Sequence, residues 1–181
     1  MFRYLKVKCI VLCTVVFSVS CNKDDDGTKD CMEQLGKTET LINSETLYQA
    51  RWTLFEYLEN GALSVTSFVQ DQNCLSTASM GITGEPNLDR QNFTKTQSFR
   101  EPTNIRFRQI EEDSPIGKWE IVEGEPNWVQ FDEITETIVK GRFQATLVIE
   151  ENGNDFQTLP DTLRFDNVSF EAVPGDLLNG N

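Results

Sequence analysis

The sequence contains no histidine among its 181 residues. Histidine is the commonest general base and the usual zinc ligand, and it activates the nucleophile in Ser-His and Cys-His enzymes. The sequence also has no glycine-rich phosphate loop, no Gly-x-Ser-x-Gly elbow and no EF-hand pattern. We therefore expect a protein that is not an enzyme and that holds no metal ion and no cofactor.

Basic residues are few, with 16 Lys and Arg against 29 Asp and Glu and a net charge of −13. Nucleic-acid-binding proteins need a basic surface to neutralise phosphates, so we expect no nucleic acid partner. An acidic body is also repelled by anionic lipid headgroups. The composition favours a partner that is neutral or cationic.

Long hydrophobic runs are absent after the start of the chain. The apolar stretch from Cys9 to Val19 follows a basic start and ends at the small residues Ser18 and Ser20, just before Cys21. It is shorter than the roughly 20 apolar residues that a helix needs to cross a bilayer. This arrangement is typical of a cleaved secretory signal, with a retained membrane anchor as the alternative.

Ser18-Val19-Ser20-Cys21 resembles the lipobox of bacterial lipoproteins, in the looser form of Bacteroidetes-like bacteria. The resemblance implies that Cys21 is acylated, for example with palmitate, and becomes the N-terminus. Lys23, Asp24 and Asp25 resemble the export signal that sends such lipoproteins to the cell surface. The resemblance thus implies that the protein is held at the outer membrane by a lipid anchor and faces the extracellular side. Each acyl methylene buried in the membrane contributes about 0.8 kcal/mol to this anchoring.

These features divide the chain into three parts. Residues 1–20 are predicted to be the lipoprotein signal peptide, residues 21–35 a disordered lipidated tether, and residues 36–181 a single domain.

The cysteines that remain after cleavage and acylation are Cys31 and Cys74. Two thiols in an exported protein favour one disulfide, with two free thiols as the alternative. Closing this 43-residue separation would stabilise the fold by about 4 kcal/mol in the chain-entropy model.

The domain has the pattern of an all-β fold. Asn60-Gly61 separates the apolar runs Gln49–Glu59 and Ala62–Val69, which is a strong hairpin signal. A helix over Glu45–Leu58 is the alternative, because its leucines also have helical spacing. We favour the hairpin because of the turn.

Later segments alternate as half-buried strands do. Further runs span Trp119–Val122, Trp128–Phe131, Thr135–Val139 and Arg142–Glu150, with a predicted turn at Lys140-Gly141 and a reversal at Asn152-Gly153. Arg106 and Arg108 alternate with Ile105 and Phe107, and a bulge is predicted near Asp166-Asn167 in the last strand, Thr162–Val173. The predicted fold is a single antiparallel β-sandwich or small barrel.

The C-terminal third carries a second resemblance. Val139-Lys140-Gly141-Arg142-Phe143, Leu159 to Phe165, and Val168-Ser169-Phe170 resemble the final hairpins of a family of small Bacteroidetes-type surface lipoproteins of unknown function. The resemblance implies an all-β segment and brings no catalytic residue with it.

Four groups of residues are candidates for function. Trp52, Trp119 and Trp128 would form a stacking platform for a ligand, with core packing as the alternative. Asp161-Thr162-Leu163 matches a Bacteroidetes-type O-glycosylation pattern and would place Thr162 on the surface. The carboxylate pairs of a glycosidase would come from Glu120 with Glu123, or Glu133 with Glu136, with solvated surface charge as the alternative.

The sequence therefore favours a lipid-anchored binding or scaffold module, accessory to an outer-membrane protein assembly or to a glycan. One alternative is a glycan-active surface enzyme, which needs two carboxylates about 5 to 9 Å apart in one cleft. The other is a lipocalin-like carrier, which needs an apolar cavity inside a closed barrel.

Overall fold

The computed structural model describes residues 33–95, 103–112, 114–150 and 157–175. These ranges form strands and no α-helix, so the predicted all-β fold is confirmed. No part of them forms an apolar helix of membrane-spanning length. The strands are β1 (Lys37–Ile42), β2 (Thr46–Ala50), β3 (Trp52–Tyr57), β4 (Leu63–Gln70), β5 (Ser76–Gly84), β6 (Gln91–Asn92), β7 (Asn104–Glu111), β8 (Ser114–Ile121), β9 (Trp128–Ile134), β10 (Val139–Ile149) and β11 (Thr162–Pro174).

All strands belong to one sheet in the order β2-β1-β11-β3-β4-β5-β7-β8-β10-β9-β6. In addition, β10 pairs with β11, although the two strands are not neighbours in this order. Together with the other pairings, this one closes a ring of seven strands: β3, β4, β5, β7, β8, β10 and β11. The strand pairs are antiparallel except β3 with β11, where Leu54 pairs with Val173 in parallel. The sheet is thus mixed rather than purely antiparallel, because no turn sets the relative direction of two strands that lie so far apart in the chain.

The hairpin predicted at Asn60-Gly61 is confirmed. Tyr57 of β3 pairs with Leu63 of β4, and Gly61 takes the positive φ of +82° that the turn needs. The Asn60 side chain accepts a hydrogen bond from the Ala62 N–H at 3.1 Å. The alternative helix over residues 45–58 is wrong, because β2 and β3 occupy that segment with a break at Arg51.

The turn predicted at Lys140-Gly141 is wrong, because both residues lie inside β10. The reversal comes earlier, where the Thr135 hydroxyl accepts a hydrogen bond from the Ile138 N–H at 3.0 Å. Gly141 is needed because neighbouring groups lie close to its backbone, and not because of a turn. A Cβ there would lie 2.6 Å from the Gln130 carbonyl oxygen and 2.6 Å from the ring of Phe170.

The bulge predicted near Asp166-Asn167 is confirmed. The register of β10 on β11 shifts between Phe143 and Ala145, opposite these two residues. Asn167 has a φ of +46°, which asparagine tolerates better than most residues. The bulge lets both halves of a 13-residue strand keep their apolar side chains in the core.

Aromatic side chains fill the middle of the ring. Phe107 lies 5.6 Å from Trp119 and 5.8 Å from Phe165, which in turn lies 5.8 Å from Phe143, measured between ring centroids. Tyr48 of β2 packs on the same cluster, 5.8 Å from Phe107. Through these rings β7 and β8 pack against β10 and β11, so aromatic side chains fill this part of the interior.

Tyr48 is the polar member of this core. Its hydroxyl lies 2.8 Å from the Ser67 hydroxyl, which satisfies both buried groups. Burial raises the pKa of the Tyr48 phenol, and the hydrogen bond to Ser67 offsets only part of that effect. The phenol is therefore a neutral core group and not a candidate base.

In the described part of the chain, backbone pairing starts at Leu35, one residue before the predicted domain boundary. The Leu35 N–H donates to the Arg51 carbonyl at 3.1 Å, and the Thr53 N–H donates to the Leu35 carbonyl at 2.7 Å. The end of the predicted tether is therefore held against β3.

Candidate functional site

A cavity of about 600 Å³ opens on the outer face of β7 and β8. We call it the basic cleft. Four of the ten basic residues in the described ranges meet here, although the chain as a whole carries a net charge of −13. The basic cleft is lined by Lys95, Arg106, Phe107, Arg108, Lys118, Trp119, Glu120, Glu123 and Glu150.

Strand alternation explains how the cations reach this face. Ile105 and Phe107 of β7 point into the core and are at most 1% exposed, so Arg106 and Arg108 point outward. Arg108 lies directly opposite Lys118 of β8 in the antiparallel register. Two like charges in opposite positions of neighbouring strands destabilise a sheet, so this pair is a local cost to folding.

The carboxylates of the basic cleft neutralise its cations only in part. Lys95 and Glu120 form an ion pair of 2.6 Å with side chains 46% and 33% exposed, so its contribution to stability is small. Among the described residues, neither Arg108 nor Lys118 has a carboxylate within 4.0 Å. Their charges remain available to a ligand.

A second, smaller cavity of about 260 Å³ adjoins the basic cleft and shares Arg106 and Arg108 with it. We call it the trough. Its lining residues stand in two rows across β4, β5 and β7, one of Phe68, Ser79 and Arg108 and one of Thr66, Gly81 and Arg106. Ser79 and Gly81 are small, so they form the floor. Phe68 stands on one side of it and the two arginines on the other.

A third cavity, a groove of about 640 Å³ beside β1, β2 and β10, differs in its electrostatics. Lys140 there lies 3.0 Å from Glu133, whose hydrogen bond and negative charge raise the pKa of the lysine amine. Arg142 binds both carboxylate oxygens of Asp132, at 3.1 and 3.2 Å. Two of the three cations that line the groove are thus paired with acids, and Lys37 is the third.

The three tryptophans do not form a common platform. Trp119 is 1% exposed and donates from Nε1 to the Pro160 carbonyl at 3.0 Å, so it is a core residue. Trp128 is 8% exposed, and the Arg90 guanidinium lies over its ring at 4.0 Å. Trp52 is partly buried on the outer face, directly opposite Phe68. Its indole N–H is buried without a hydrogen-bond partner in the described ranges.

The two proposed carboxylate pairs have different surroundings. Glu120 and Glu123 both line the basic cleft, together with Glu150. Glu133 binds Lys140, whereas Glu136 lies in the exposed turn between β9 and β10. The first pair therefore shares a cavity with the cations.

Thr162 is half-buried at the start of β11, and its carbonyl accepts a hydrogen bond from the Asn43 side chain at 2.9 Å.

Cys74 is disulfide-bonded to a partner outside the described residues, so the pairing with Cys31 stays a prediction. Also outside these residues lie Cys21, Lys23, Asp24, Asp25 and Asn152-Gly153. Within the described ranges, no group of three or more metal-ligating side chains is placed to hold a metal ion.

The sequence interpretation missed the basic cleft and the trough. The outward phase of Arg106 and Arg108 was readable from the alternation of β7, but their meeting with Lys118, Phe68 and Ser79 depends on strand register. The net negative charge pointed toward a neutral or cationic partner, whereas this part of the surface is rich in basic residues. No protein-family model, curated protein or solved structure matches the chain.

Proposed function

We propose that the protein is a lipid-anchored binding module of the bacterial outer membrane that takes an anionic ligand in the basic cleft. The observation that supports it best is the cross-strand pair Arg108 and Lys118, which leaves two like charges facing each other. A bound anion would offset their repulsion. The guanidinium also presents a planar set of donors that matches a carboxylate or a similar oxyanion.

The strongly acidic composition gives this site selectivity. A net charge of −13 repels polyanions from most of the surface, while the basic cleft attracts them locally. Binding therefore has to be local, and it weakens as salt screens the attraction. A scaffold role toward an outer-membrane assembly would use the same surface, with an acidic segment of the partner as the anion.

Removal of one positive charge from the cleft tests this function. We expect Arg108→Gln to weaken binding of dextran sulfate to the full-length, detergent-solubilised lipoprotein by about tenfold or more, since hydrogen bonds to charged groups contribute about 1.5–3 kcal/mol. Isothermal titration calorimetry at low salt measures the effect.

Arg164→Gln is the matched control, because Arg164 is an exposed arginine of β11 away from the cleft. It removes the same charge and should leave the affinity nearly unchanged. Equal losses from the two substitutions would mean that net charge, and not the basic cleft, governs binding.

The lipid anchor rests on Cys21 and has its own test. We expect Cys21→Ser to abolish incorporation of labelled palmitate and to move the protein out of the membrane fraction, because the acylated thiol is lost. Wild-type protein should be cleaved by protease added to intact cells. Protection until the outer membrane is disrupted would contradict the outward-facing location.

A glycan-active enzyme is the second candidate function, favoured by the presence of Glu120 and Glu123 in the basic cleft. Hydrolysis of a glycosidic bond requires one carboxyl group as acid and a second as nucleophile or base. This candidate predicts new reducing ends on incubation with a glycan, and their loss in Glu120→Gln or Glu123→Gln.

A further inference from the structure

We infer that the ligand is an acidic carbohydrate chain, with one carboxylated sugar ring in the trough and the next unit in the basic cleft. This inference rests on the proposed function and names the class of anion. It is carried by the juxtaposition of an aromatic wall on β4, a floor of small residues on β5 and two arginines on β7.

The dimensions of the trough suit one ring. Phe68 and Arg108 are separated by Ser79, hence by two strand spacings or about 10 Å of sheet. The cavity of about 260 Å³ is slightly smaller than the roughly 300–1,000 Å³ of pockets for drug-sized ligands. A single ring-sized group fits there, whereas a longer ligand has to leave the trough toward a neighbouring cavity.

The chemistry of the trough matches both sides of an acidic sugar. Phe68 offers an apolar aromatic surface to the C–H face of a pyranose. The hydroxyls of Thr66 and Ser79 are short donors and acceptors for the ring hydroxyls. Arg108 provides a guanidinium group for the carboxylate, and no acidic residue lines the trough.

Because the two cavities share these arginines, we expect an acidic oligosaccharide to bind better than a single acidic sugar. Arg106 and Arg108 line both the trough and the basic cleft, so a carboxylate bound to Arg108 lies at the junction of the two cavities. A second unit would then enter the larger cavity, toward Lys118 and Lys95. An acidic peptide would use the arginines too, but it would gain little from a ring-sized space beside an aromatic wall.

The aromatic wall distinguishes the two kinds of anion. We expect Phe68→Leu to weaken binding of oligogalacturonate to the full-length lipoprotein by about tenfold, because the aromatic surface under the sugar ring is lost. Polyglutamate should bind with unchanged affinity. Arg108→Gln should weaken both probes, and affinity for galacturonate should rise from the monomer to the dimer. Isothermal titration calorimetry at one fixed salt concentration measures all of these affinities.

Two further variants distinguish loss of the trough from general misfolding of the protein. Ser79→Gln places a longer polar side chain on the floor of the trough and should block oligogalacturonate while sparing polyglutamate. Tyr57→Ala removes an aromatic ring that is 55% exposed and does not line the trough, so it should change neither affinity.

Equal binding of both probes, with neither affected by Phe68→Leu or Ser79→Gln, would overturn the carbohydrate inference and leave an anion site for an acidic peptide. Binding of neither probe, or no effect of Arg108→Gln on either, would overturn the proposed function as well. Release of reducing ends that requires Glu120 or Glu123 would replace the binding module with the glycan-active enzyme.

Discussion

Gly36→Ala is expected to lower the free energy of unfolding by about 4 kcal/mol, at the upper end of single substitutions. Gly36 has a φ of +71°, a conformation that costs other L residues about 1–2 kcal/mol. A Cβ at this position would lie 2.3 Å from the Thr53 carbonyl oxygen and 2.6 Å from that of Glu171. Both oxygens belong to the backbone, so no side-chain rotation relieves the clash.

The effect should be large because of where Gly36 lies. It precedes β1 and touches β3 through Thr53 and β11 through Glu171. These three strands meet at the parallel pairing of β3 with β11, which is needed for the ring together with the pairing of β10 with β11. Displacement of the backbone at Gly36 therefore strains that closure.

Gly61→Ala provides a matched control. Gly61 has a similar φ of +82°, but nothing lies within 4 Å of the position that a Cβ would take. Its replacement should cost only the backbone strain of about 1–2 kcal/mol. Urea unfolding followed by tryptophan fluorescence measures the free energy of unfolding of both variants. Equal losses would show that the close contacts around Gly36 do not add to the backbone strain.

Phe165→Ala is expected to destabilise the domain by about 3–5 kcal/mol, the usual range for removing a buried phenylalanine. The Phe165 ring is fully buried and lies 5.8 Å from Phe107, 5.8 Å from Phe143 and 6.3 Å from Tyr48. Removing the side chain leaves a cavity at the centre of the closed ring of strands. Hydrogen bonds hold the surrounding strands in place, so they do not move in to fill it. Since domains are stable by about 5–15 kcal/mol in total, much of the stability would be lost.

Two comparisons separate cavity formation from a general loss of apolar surface. Phe165→Leu keeps most of the volume and should cost clearly less than the alanine substitution. Leu88→Ala removes a side chain that is 57% exposed and should change stability by no more than about 0.5 kcal/mol. Thermal unfolding measures all three, and a Phe165→Ala variant as stable as Leu88→Ala would contradict the packed interior.

The same aromatic cluster supports the candidate site. Phe107 packs on Phe165 from one side of β7, while its neighbours Arg106 and Arg108 face the basic cleft from the other. The core contact thus keeps the guanidinium groups on a rigid strand. Sites built on strands hold their ligand-binding groups in place better than sites built on loops.

Local patterns in the sequence were sufficient for several parts of the fold. The alternation in residues 105–108, the turn at Asn60-Gly61 and the bulge at Asp166-Asn167 each depend on residues close together in the chain, and each is confirmed. The lipid anchor at Cys21 also rests on a local motif and stays a prediction. Such features are readable because the backbone conformation of a short segment follows its own side chains.

The folded sheet determines the features that join distant segments. Gly141 looks like a turn residue until Phe170 and Gln130 are brought against it. The opposition of Arg108 and Lys118, and the row from Phe68 through Ser79 to Arg108, arise from strand register. A shift of one residue would turn each of these side chains to the other face, and the pattern of one strand does not reveal its partner. For this reason the chain's composition indicated an acidic protein, whereas the pairing of its strands brought four basic residues together in one cleft.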